Sequence, residues 1–265
     1  MQLAGSRVLV TGATGGIGNA IARALHERGA RVIVSGRRAD ALEQLRSELG
    51  GETAVLKADL ADAAAVRSLV ERAGPVDAVV ANAALPASGR VDSFTPEEID
   101  RALDVNLRAP IQLARAVAPG MAERGRGHLV FIASLSGKIS SGGGAVYSAT
   151  KFGLRGFATG LREDLLGSGV GVTTVYPGFI SDAGMFAEAD VKLPPGVGTR
   201  SPEQVAAAVV RGIEEEKPEL DVAPLGMRLG ARLWGVSPAA MGALQRRLGS
   251  LKVADALAKG QRSKR

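Results

Sequence analysis

The chain contains no cysteine, which excludes disulfide bonds and thiolate metal sites and suits a cytoplasmic protein. Its only two histidines, His26 and His128, lie in different segments without a Cys or an HxxxH partner, so we expect no metal site. Aromatic residues make up only 3% of the chain, which disfavours binding of single-stranded nucleic acid by base stacking. No apolar run approaches the ~20 residues of a membrane-spanning helix, and the start of the chain lacks the apolar region of a signal peptide.

The chain is long enough, at 265 residues with 46% hydrophobic residues, to bury one sizeable core. Its net charge of +6 is unevenly distributed. Residues 225–265 contain nine Lys or Arg and one Asp, a net charge of +8, which leaves −2 for residues 1–224. The body of the chain is therefore not basic, and only its C-terminal extension is.

Short apolar runs alternate with helical patterns along residues 1–224, which we predict to form one α/β domain. Nearly continuous apolar strands that alternate with helices are typical of a parallel sheet covered on both faces. The predicted strands are residues 7–10, 31–34, 53–57, 76–80, 129–133, 170–175 and 220–223. Thr95 and Pro96 predict the start of a helix that continues to near Gly125. Residues 181–199 show no clear period, and we expect a loop over the substrate, with disorder as the alternative.

A glycine-rich turn follows the first predicted strand. The sequence Thr11–Gly18, TGATGGIG, lies between that strand and a helical apolar pattern. Strand, glycine turn and helix form the context in which glycines let the backbone approach a pyrophosphate, while the helix N-terminus supplies amide donors. The alternative is a glycine-rich loop that merely turns a corner.

The end of the second predicted strand bears on the choice of cofactor. An NAD-binding fold usually places an acid at this point to hold the ribose 2′-OH, whereas an NADP-binding fold leaves room and charge for the 2′-phosphate. Here Gly36 stands at that point and is followed by Arg37 and Arg38. We therefore predict NADP(H) in preference to NAD(H), the alternative being two arginines that only solvate a loop.

Tyr147 and Lys151 are four residues apart and would lie on the same face of a helix. An ammonium about 5 Å from a phenol, at an effective dielectric constant of about 20, favours the phenolate by roughly 3 kcal/mol, or about two pKa units. The spacing thus predicts a lowered pKa for Tyr147 and a usable acid or base near neutral pH.

Together these motifs resemble the short-chain dehydrogenase/reductases of the ordinary, non-extended type, over about residues 6 to 224. The matching elements are Thr11–Gly18 as TGxxxGxG, Asp59 near the adenine, Asn106, the Ser-x12-Tyr-x3-Lys set of Ser134, Tyr147 and Lys151, and Pro177-Gly178. The resemblance implies a single Rossmann-like, doubly wound domain, with a seven-stranded parallel sheet of order 3-2-1-4-5-6-7 and helices on both faces. It also implies hydride transfer between a nicotinamide and a carbonyl or alcohol.

The resemblance also implies a role for each catalytic residue. Tyr147 would be the general acid in reduction and the base in oxidation, and Ser134 would hydrogen-bond the substrate oxygen. Lys151 would hold the nicotinamide ribose, and Asn106 would anchor a water in a proton relay. The implied cofactor contacts are Gly12, Thr14, Gly15, Gly16, Ile17, Gly18, Arg37, Arg38, Asp59, Leu60, Asn82, Tyr147, Lys151, Pro177, Gly178 and Ile180.

The chain departs from the family pattern in two segments. The family's Asn-Asn-Ala-Gly is replaced by Ala81-Asn82-Ala83-Ala84, so that Ala84 changes one wall of the expected nicotinamide pocket. Asp182 stands where a Thr often contacts the cofactor, and we leave this carboxylate out of the predicted site.

The extension formed by residues 225–265 exceeds the family's core. Apolar residues recur there at roughly helical spacing among the arginines: Leu229, Leu233, Val236, Leu244, Leu248, Leu251 and Leu257. Three interpretations remain open: helices packed on the body or on a neighbouring subunit before a disordered end at 261–265, a basic amphipathic surface on anionic lipid, or a nucleic-acid contact.

The sequence as a whole predicts an NADP(H)-dependent oxidoreductase that interconverts a ketone or aldehyde and an alcohol. The alternative is a non-catalytic NADP(H)-binding sensor or scaffold on the same fold, which would need none of the catalytic set. Apolar residues near the 181–199 loop indicate a bulky apolar substrate: Phe179, Ile180, Met185, Phe186 and Leu193. The resemblance implies a homodimer or homotetramer, and we expect no nucleic-acid partner.

Overall fold

The computed structural model describes residues 1–182, 184–187, 191, 193, 197–247 and 249–262. Leu248 and part of the 181–199 loop, which figured in the predictions above, lie outside the described residues, as does the end at 263–265.

Seven parallel strands form one sheet of order β3-β2-β1-β4-β5-β6-β7, which confirms the predicted fold. The strands are β1 Arg7–Thr11, β2 Arg31–Gly36, β3 Ala54–Lys57, β4 Ala78–Ala81, β5 Gly127–Ile132, β6 Val170–Pro177 and β7 Glu219–Val222. Val10 of β1 pairs with Val34 of β2 on one side and with Val80 of β4 on the other. The strand order reverses between β1 and β4, and the crevice at the carboxyl ends of such strands is where open α/β sheets bind ligands.

The helices that cover the sheet follow the strands along the chain. They are α1 Gly16–Glu27, α2 Ala39–Leu49, α3 Ala63–Ala73, α4 Pro96–Leu103, α5 Ala109–Glu123, α6 Ala145–Asp164, α7 Gly184–Ala187, α8 Pro202–Glu214, α9 Leu225–Val236, α10 Pro238–Arg247 and α11 Ser250–Gln261. Capping boxes begin two of them, with Thr95 and Glu98 at α4 and Ser201 and Gln204 at α8.

The sheet has a hydrophobic core on each face because successive side chains of a strand point to opposite sides. In β1, Leu9 belongs to the core that includes residues of α3, α5 and α6, whereas Val8 and Val10 belong to the core that includes residues of α1, α2 and α8. All three side chains are fully buried. Burial on both faces is the reason that the strands are nearly continuous apolar runs in the sequence.

One predicted helix is interrupted. The sequence predicted a single helix from Pro96 to near Gly125, but a π-helical turn, Asp104–Arg108, separates α4 from α5. Such turns are rare and are often found at functional sites. Asn106 lies within this turn and is fully buried.

The C-terminal extension forms helices α9, α10 and α11. Ala231 of α9 is buried in the same core as β5 and α6, and Met227 packs against that core. Within the described ranges, no helix combines the length and the hydropathy needed to cross a membrane.

Candidate active site

The turn between β1 and α1 is built so tightly that two of its residues must be glycine. Gly12 has φ +65°, and a Cβ atom there would lie 2.7 Å from the Cα of Ala83. A Cβ atom on Gly18 would lie 2.1 Å from the carbonyl oxygen of Gly12. Asn82 fixes the same turn, because its Nδ2 donates to the carbonyls of Thr11 at 3.0 Å and of Gly12 at 3.2 Å. The carboxyl ends of β1 and β4 are thereby locked together.

The N-terminus of α1 suits an anionic group. Its N-cap residue, Gly15, has no side chain to cap the first amides, and the first turn contains no acidic residue. The N–H groups of Gly16, Ile17 and Gly18, at the start of α1, therefore have the geometry and dipole that favour a phosphate. These residues fit the pyrophosphate of a dinucleotide.

The two arginines after β2 have different surroundings. Arg38 donates from Nη2 to the carbonyl of Thr14 at 2.9 Å, so it supports the glycine turn. Arg37 is exposed, and its charge contributes to the lowered pKa of Asp59. Gly36 ends β2 without a side chain, and a Cβ atom there would lie 3.3 Å from Oγ1 of Thr14.

Asp59 lies just after β3, where its carboxylate is held by two donors. Its Oδ1 accepts from the N–H of Ala61 at 3.1 Å, and its Oδ2 accepts from Nη2 of Arg101 at 3.2 Å. Burial acts to raise the pKa of Asp59, but the Ala61 hydrogen bond, Arg101 and Arg37 together hold it below its ordinary value. The neighbouring Leu60 is buried.

Ser134, Tyr147 and Lys151 converge at the carboxyl end of β5. Ser134 follows the strand, and its Oγ accepts from the N–H of Ser136 at 3.1 Å. Tyr147 and Lys151 lie on the first turns of α6, with the ammonium nitrogen 5.7 Å from the centre of the phenol ring. Lys151 is 1% exposed and donates from Nζ to the carbonyl of Ile132 at 3.0 Å.

The predicted direction of the Tyr147 pKa is wrong for the polypeptide alone. Burial raises the pKa of Tyr147 to about 12, and a hydrogen bond with Ser134 offsets only part of this rise. The Coulomb estimate from spacing left out the cost of desolvating a phenolate. Burial also lowers the pKa of Lys151 to about 8, and its ammonium is directed to the Ile132 carbonyl.

The side chain of Asn106 is fully buried and fixes the position of Leu85, in the segment after β4. Its Oδ1 accepts from the N–H of Leu85 at 2.7 Å, and its Nδ2 donates to the carbonyl of Leu85 at 2.9 Å. The π-helical turn thus fixes the segment that follows β4. The proposed water-anchoring role of Asn106 stays a prediction, because its amide is committed to Leu85.

A cavity of about 700 Å³ joins some of the predicted site residues, whereas the glycines of the turn, Arg37, Arg38, Asp59, Leu60 and Asn106 are not among the residues that line it. Its walls include Ile17 and Asn82 from the cofactor side and Ala84 at the departure from the family pattern. They also include the catalytic group and the end of β6: Ser134, Tyr147, Lys151, Pro177, Gly178 and Ile180. The bridge between Ile180 and Arg200 uses the carbonyl of Phe179 and the N–H of Ser181, so neither of these bonds uses the N–H or carbonyl of Ile180.

A second groove lies between α1 and α8 and has a volume of about 940 Å³. Thr14, Gly16 and Asp182 contribute to its walls. Asp182 therefore faces this groove, whereas Ile180 lines the cavity that contains Tyr147.

The C-terminal extension also borders this cavity, a position that the sequence did not predict. The remaining wall of the cavity includes apolar side chains from all three helices of the extension: Met227, Leu229, Leu233, Met241, Leu244, Val253 and Leu257. The last turn of α11 also contacts the 181–199 loop, because Nε2 of Gln261 donates to the carbonyl of Met185 in α7 at 2.9 Å. The helical spacing of the leucines was the signal, but spacing alone does not reveal what a helix covers.

Comparison with known proteins identifies relatives of the chain. A family model described as short chain dehydrogenase matches residues 6–193. The chain is 36% identical over 227 residues to the ketoacyl reductase HetN of Nostoc sp. strain PCC 7120, covering 83% of this chain and 79% of that protein. It is 40% identical over 178 residues to the NADP-dependent 3-hydroxy acid dehydrogenase YdfG of Salmonella typhi, covering 65% of this chain and 72% of that protein.

A solved structure shows the same architecture. The short-chain dehydrogenase from Sphingobium yanoikuyae in complex with NADPH superposes with a TM-score of 0.77 at 28% identity. The superposition covers 91% of this chain and 95% of that one.

Proposed function

The chain belongs to the short-chain dehydrogenase family of oxidoreductases, and we propose that it reduces a ketone or aldehyde to an alcohol with NADPH, and can run the reverse reaction. The observation that carries this proposal is the convergence of Ser134, Tyr147 and Lys151 in one cavity that also reaches Ile17 at the start of α1. A relative named as a ketoacyl reductase and another named as NADP-dependent support the same reaction type and cofactor.

When bound, the nicotinamide supplies the hydride, which no protein side chain can provide. The residues of the chain position the reactants and move a proton. Tyr147 donates its phenolic proton to the substrate oxygen, and Ser134 holds that oxygen by a hydrogen bond. In the proposed mechanism, Lys151 holds the nicotinamide ribose through its ammonium group.

Without a bound cofactor, Tyr147 already holds the proton that a reduction requires. With its pKa raised to about 12, Tyr147 is protonated throughout the neutral range and is ready to donate. Lys151, with a pKa of about 8, is largely charged at neutral pH and stabilises the negative charge left on the phenol after proton transfer.

The shape and lining of the cavity support a bulky apolar substrate. Most of its exposed lining surface is apolar. The tilted pair of Phe179 and Phe186, with ring centres 4.9 Å apart, adds aromatic surface near the 181–199 loop. Its volume of about 700 Å³ lies in the range of sites for drug-sized ligands. The alternative of a non-catalytic sensor is not favoured, because a sensor would need neither Tyr147 nor Ser134.

Tyr147→Phe tests the proposed reaction. We expect this change to lower kcat by at least about 100-fold, the usual minimum contribution of general acid catalysis, while NADPH binding changes little. The measurement is NADPH oxidation across a panel of ketones and aldehydes of graded size. Tyr176→Phe is the matched control because Tyr176, the chain's other tyrosine, is fully buried and donates to Glu219 at 2.8 Å. Substantial turnover by Tyr147→Phe would contradict the assigned role.

Arg37→Ala tests the cofactor preference. Loss of the exposed guanidinium should weaken NADPH binding at least tenfold more than NADH binding, because only NADPH carries the 2′-phosphate. Arg38→Ala is the comparison, since Arg38 supports the carbonyl of Thr14 and its loss should weaken both cofactors. Binding is measured by titration of nucleotide fluorescence. Equal losses of NADPH and NADH with Arg37→Ala would rule out the phosphate contact.

A further inference from the structure

The outer face of α9 exposes large apolar side chains in a continuous stripe. Leu225, Leu229, Leu233 and Val236 are 66%, 48%, 57% and 83% exposed, respectively. Their spacing puts them on one side of the helix. Leu244 of α10 and Leu251 of α11 are also about half exposed. Exposed apolar surface of this extent usually marks an interaction site.

Basic residues accompany this apolar face, which we call the α9 face and define by Leu225, Leu229, Leu233 and Val236. Among the side chains of the extension that the structure describes, the exposed cations are Arg232, Arg246, Arg247, Lys259 and Arg262. Asp255 is the only acid in residues 225–265, which carry a net charge of +8. An apolar helix face among lysines and arginines has the composition of helices that lie in the interface of an anionic membrane.

Two residues of the α9 face also border the cavity, at the place that we call its mouth. Leu229 and Leu233 line the cavity that contains Tyr147 and are about half exposed, and Leu244 of α10 does the same. A molecule that enters between these side chains passes from an apolar surface into a mostly apolar chamber.

We propose that the α9 face docks on an anionic membrane surface, and that the apolar substrate enters the cavity from the lipid through this mouth. The second part rests on the proposed function, whereas the docking does not. With its 12 residues, α9 is too short to span a bilayer and would lie in the interfacial plane. A second copy of the chain is a poorer occupant, because a two-fold contact here would bring two extensions of charge +8 together.

Vesicle flotation tests the docking. The probes are vesicles of phosphatidylcholine alone and vesicles of phosphatidylcholine with phosphatidylglycerol, mixed with the full chain. We expect the chain to float with the anionic vesicles and to leave them as the salt concentration rises. The double variant Leu225→Ser/Val236→Ser should float at least fivefold less, because it removes the two most exposed side chains of the face. Neither residue lines the cavity, so turnover of a small water-soluble ketone serves as the check on the site.

Matched controls separate docking from general surface effects. Leu166→Ser removes a side chain that is 72% exposed in the loop before β6 and should float as the parent does. Arg232→Glu should lower flotation, whereas Arg67→Glu on α3, the same change of charge at an exposed site, should not. Circular dichroism shows that each variant is folded.

Three results would overturn the proposal. The first is a parent chain that stays with the buffer in the presence of anionic vesicles. The second is a double variant that floats as well as the parent. The third is a parent dimer that Leu225→Ser/Val236→Ser converts to monomers in sedimentation, since the face would then join two copies. Flotation without turnover of any carbonyl would leave the docking standing and refute only the proposed reaction.

Discussion

At the scale of single residues, Lys151 pays a desolvation cost for its place in the site. The side chain is 1% exposed, and burial lowers its pKa from 10.5 to about 8. A base whose pKa is lowered by folding destabilises the folded state at every pH below that lowered value. The difference in pKa corresponds to about 3 kcal/mol of lost stability at pH 7. The role proposed for Lys151 gives a reason for keeping a buried charge that lowers stability, a trade-off that is common at active sites.

Lys151→Met should therefore raise the free energy of unfolding at pH 7 while it abolishes turnover. We expect a gain of about 2 kcal/mol, because the loss of the hydrogen bond to the Ile132 carbonyl offsets about 1 kcal/mol. The free energy of unfolding of the parent should rise relative to that of the variant as the pH rises from 8 towards 10.5. The reason is that the folded parent releases the Lys151 proton at a lower pH than the unfolded chain does. Urea unfolding at pH 7 and pH 10 measures both effects. Lys57→Met, at an exposed position of β3, should change stability little at either pH, and a less stable Lys151→Met at pH 7 would contradict the argument.

At the scale of elements, the sequence predicted those features that a short segment of the chain determines by itself. The glycine turn was predictable because Gly12 and Gly18 have no room for a Cβ atom, and the strands because burial on both sheet faces favours apolar residues at most positions of the central strands. The start of α4 was predictable because the Thr95 capping box is contained in four consecutive residues. The seven-strand order came from the family resemblance and not from these local patterns.

Elements that depend on distant contacts were not predictable in the same way. The π-helical turn holds Asn106, whose amide bonds the peptide groups of Leu85, a contact across 21 residues of sequence. Burial raises the pKa of Tyr147, and this burial cannot be predicted from the spacing of Tyr147 and Lys151 alone. The contact of Gln261 with the carbonyl of Met185 joins residues 76 apart. Helical periodicity can show that a face is apolar but not which surface it covers.

At the scale of the whole molecule, the C-terminal extension supplies one wall of the cavity that contains Tyr147, although the two are distant in the sequence. Helix α11 packs closely on the loop before α6, because a Cβ atom on Gly142 would lie 2.5 Å from Leu251 and one on Gly143 would lie 3.0 Å from Ala254. The proposed substrate would thus lie between Ser134, after β5, with Tyr147 and Lys151 on α6, and an apolar wall supplied by the extension. Selectivity for substrate size should therefore be set by the extension, and the proton transfer by the body.

Leu257→Trp tests this division, because Leu257 lines the cavity from α11 and a larger side chain there reduces the room for the apolar part of the substrate. We expect the ratio of kcat/KM for a bulky ketone to kcat/KM for a small one to fall at least tenfold, which corresponds to about 1.4 kcal/mol of selectively lost binding. Lys259→Trp places the same side chain at an exposed position of the same helix and should leave that ratio within about twofold of the parent, well under 1 kcal/mol. An unchanged ratio in Leu257→Trp would show that the bulky substrate does not reach α11, and the chamber would then have to be bounded by the 181–199 loop instead.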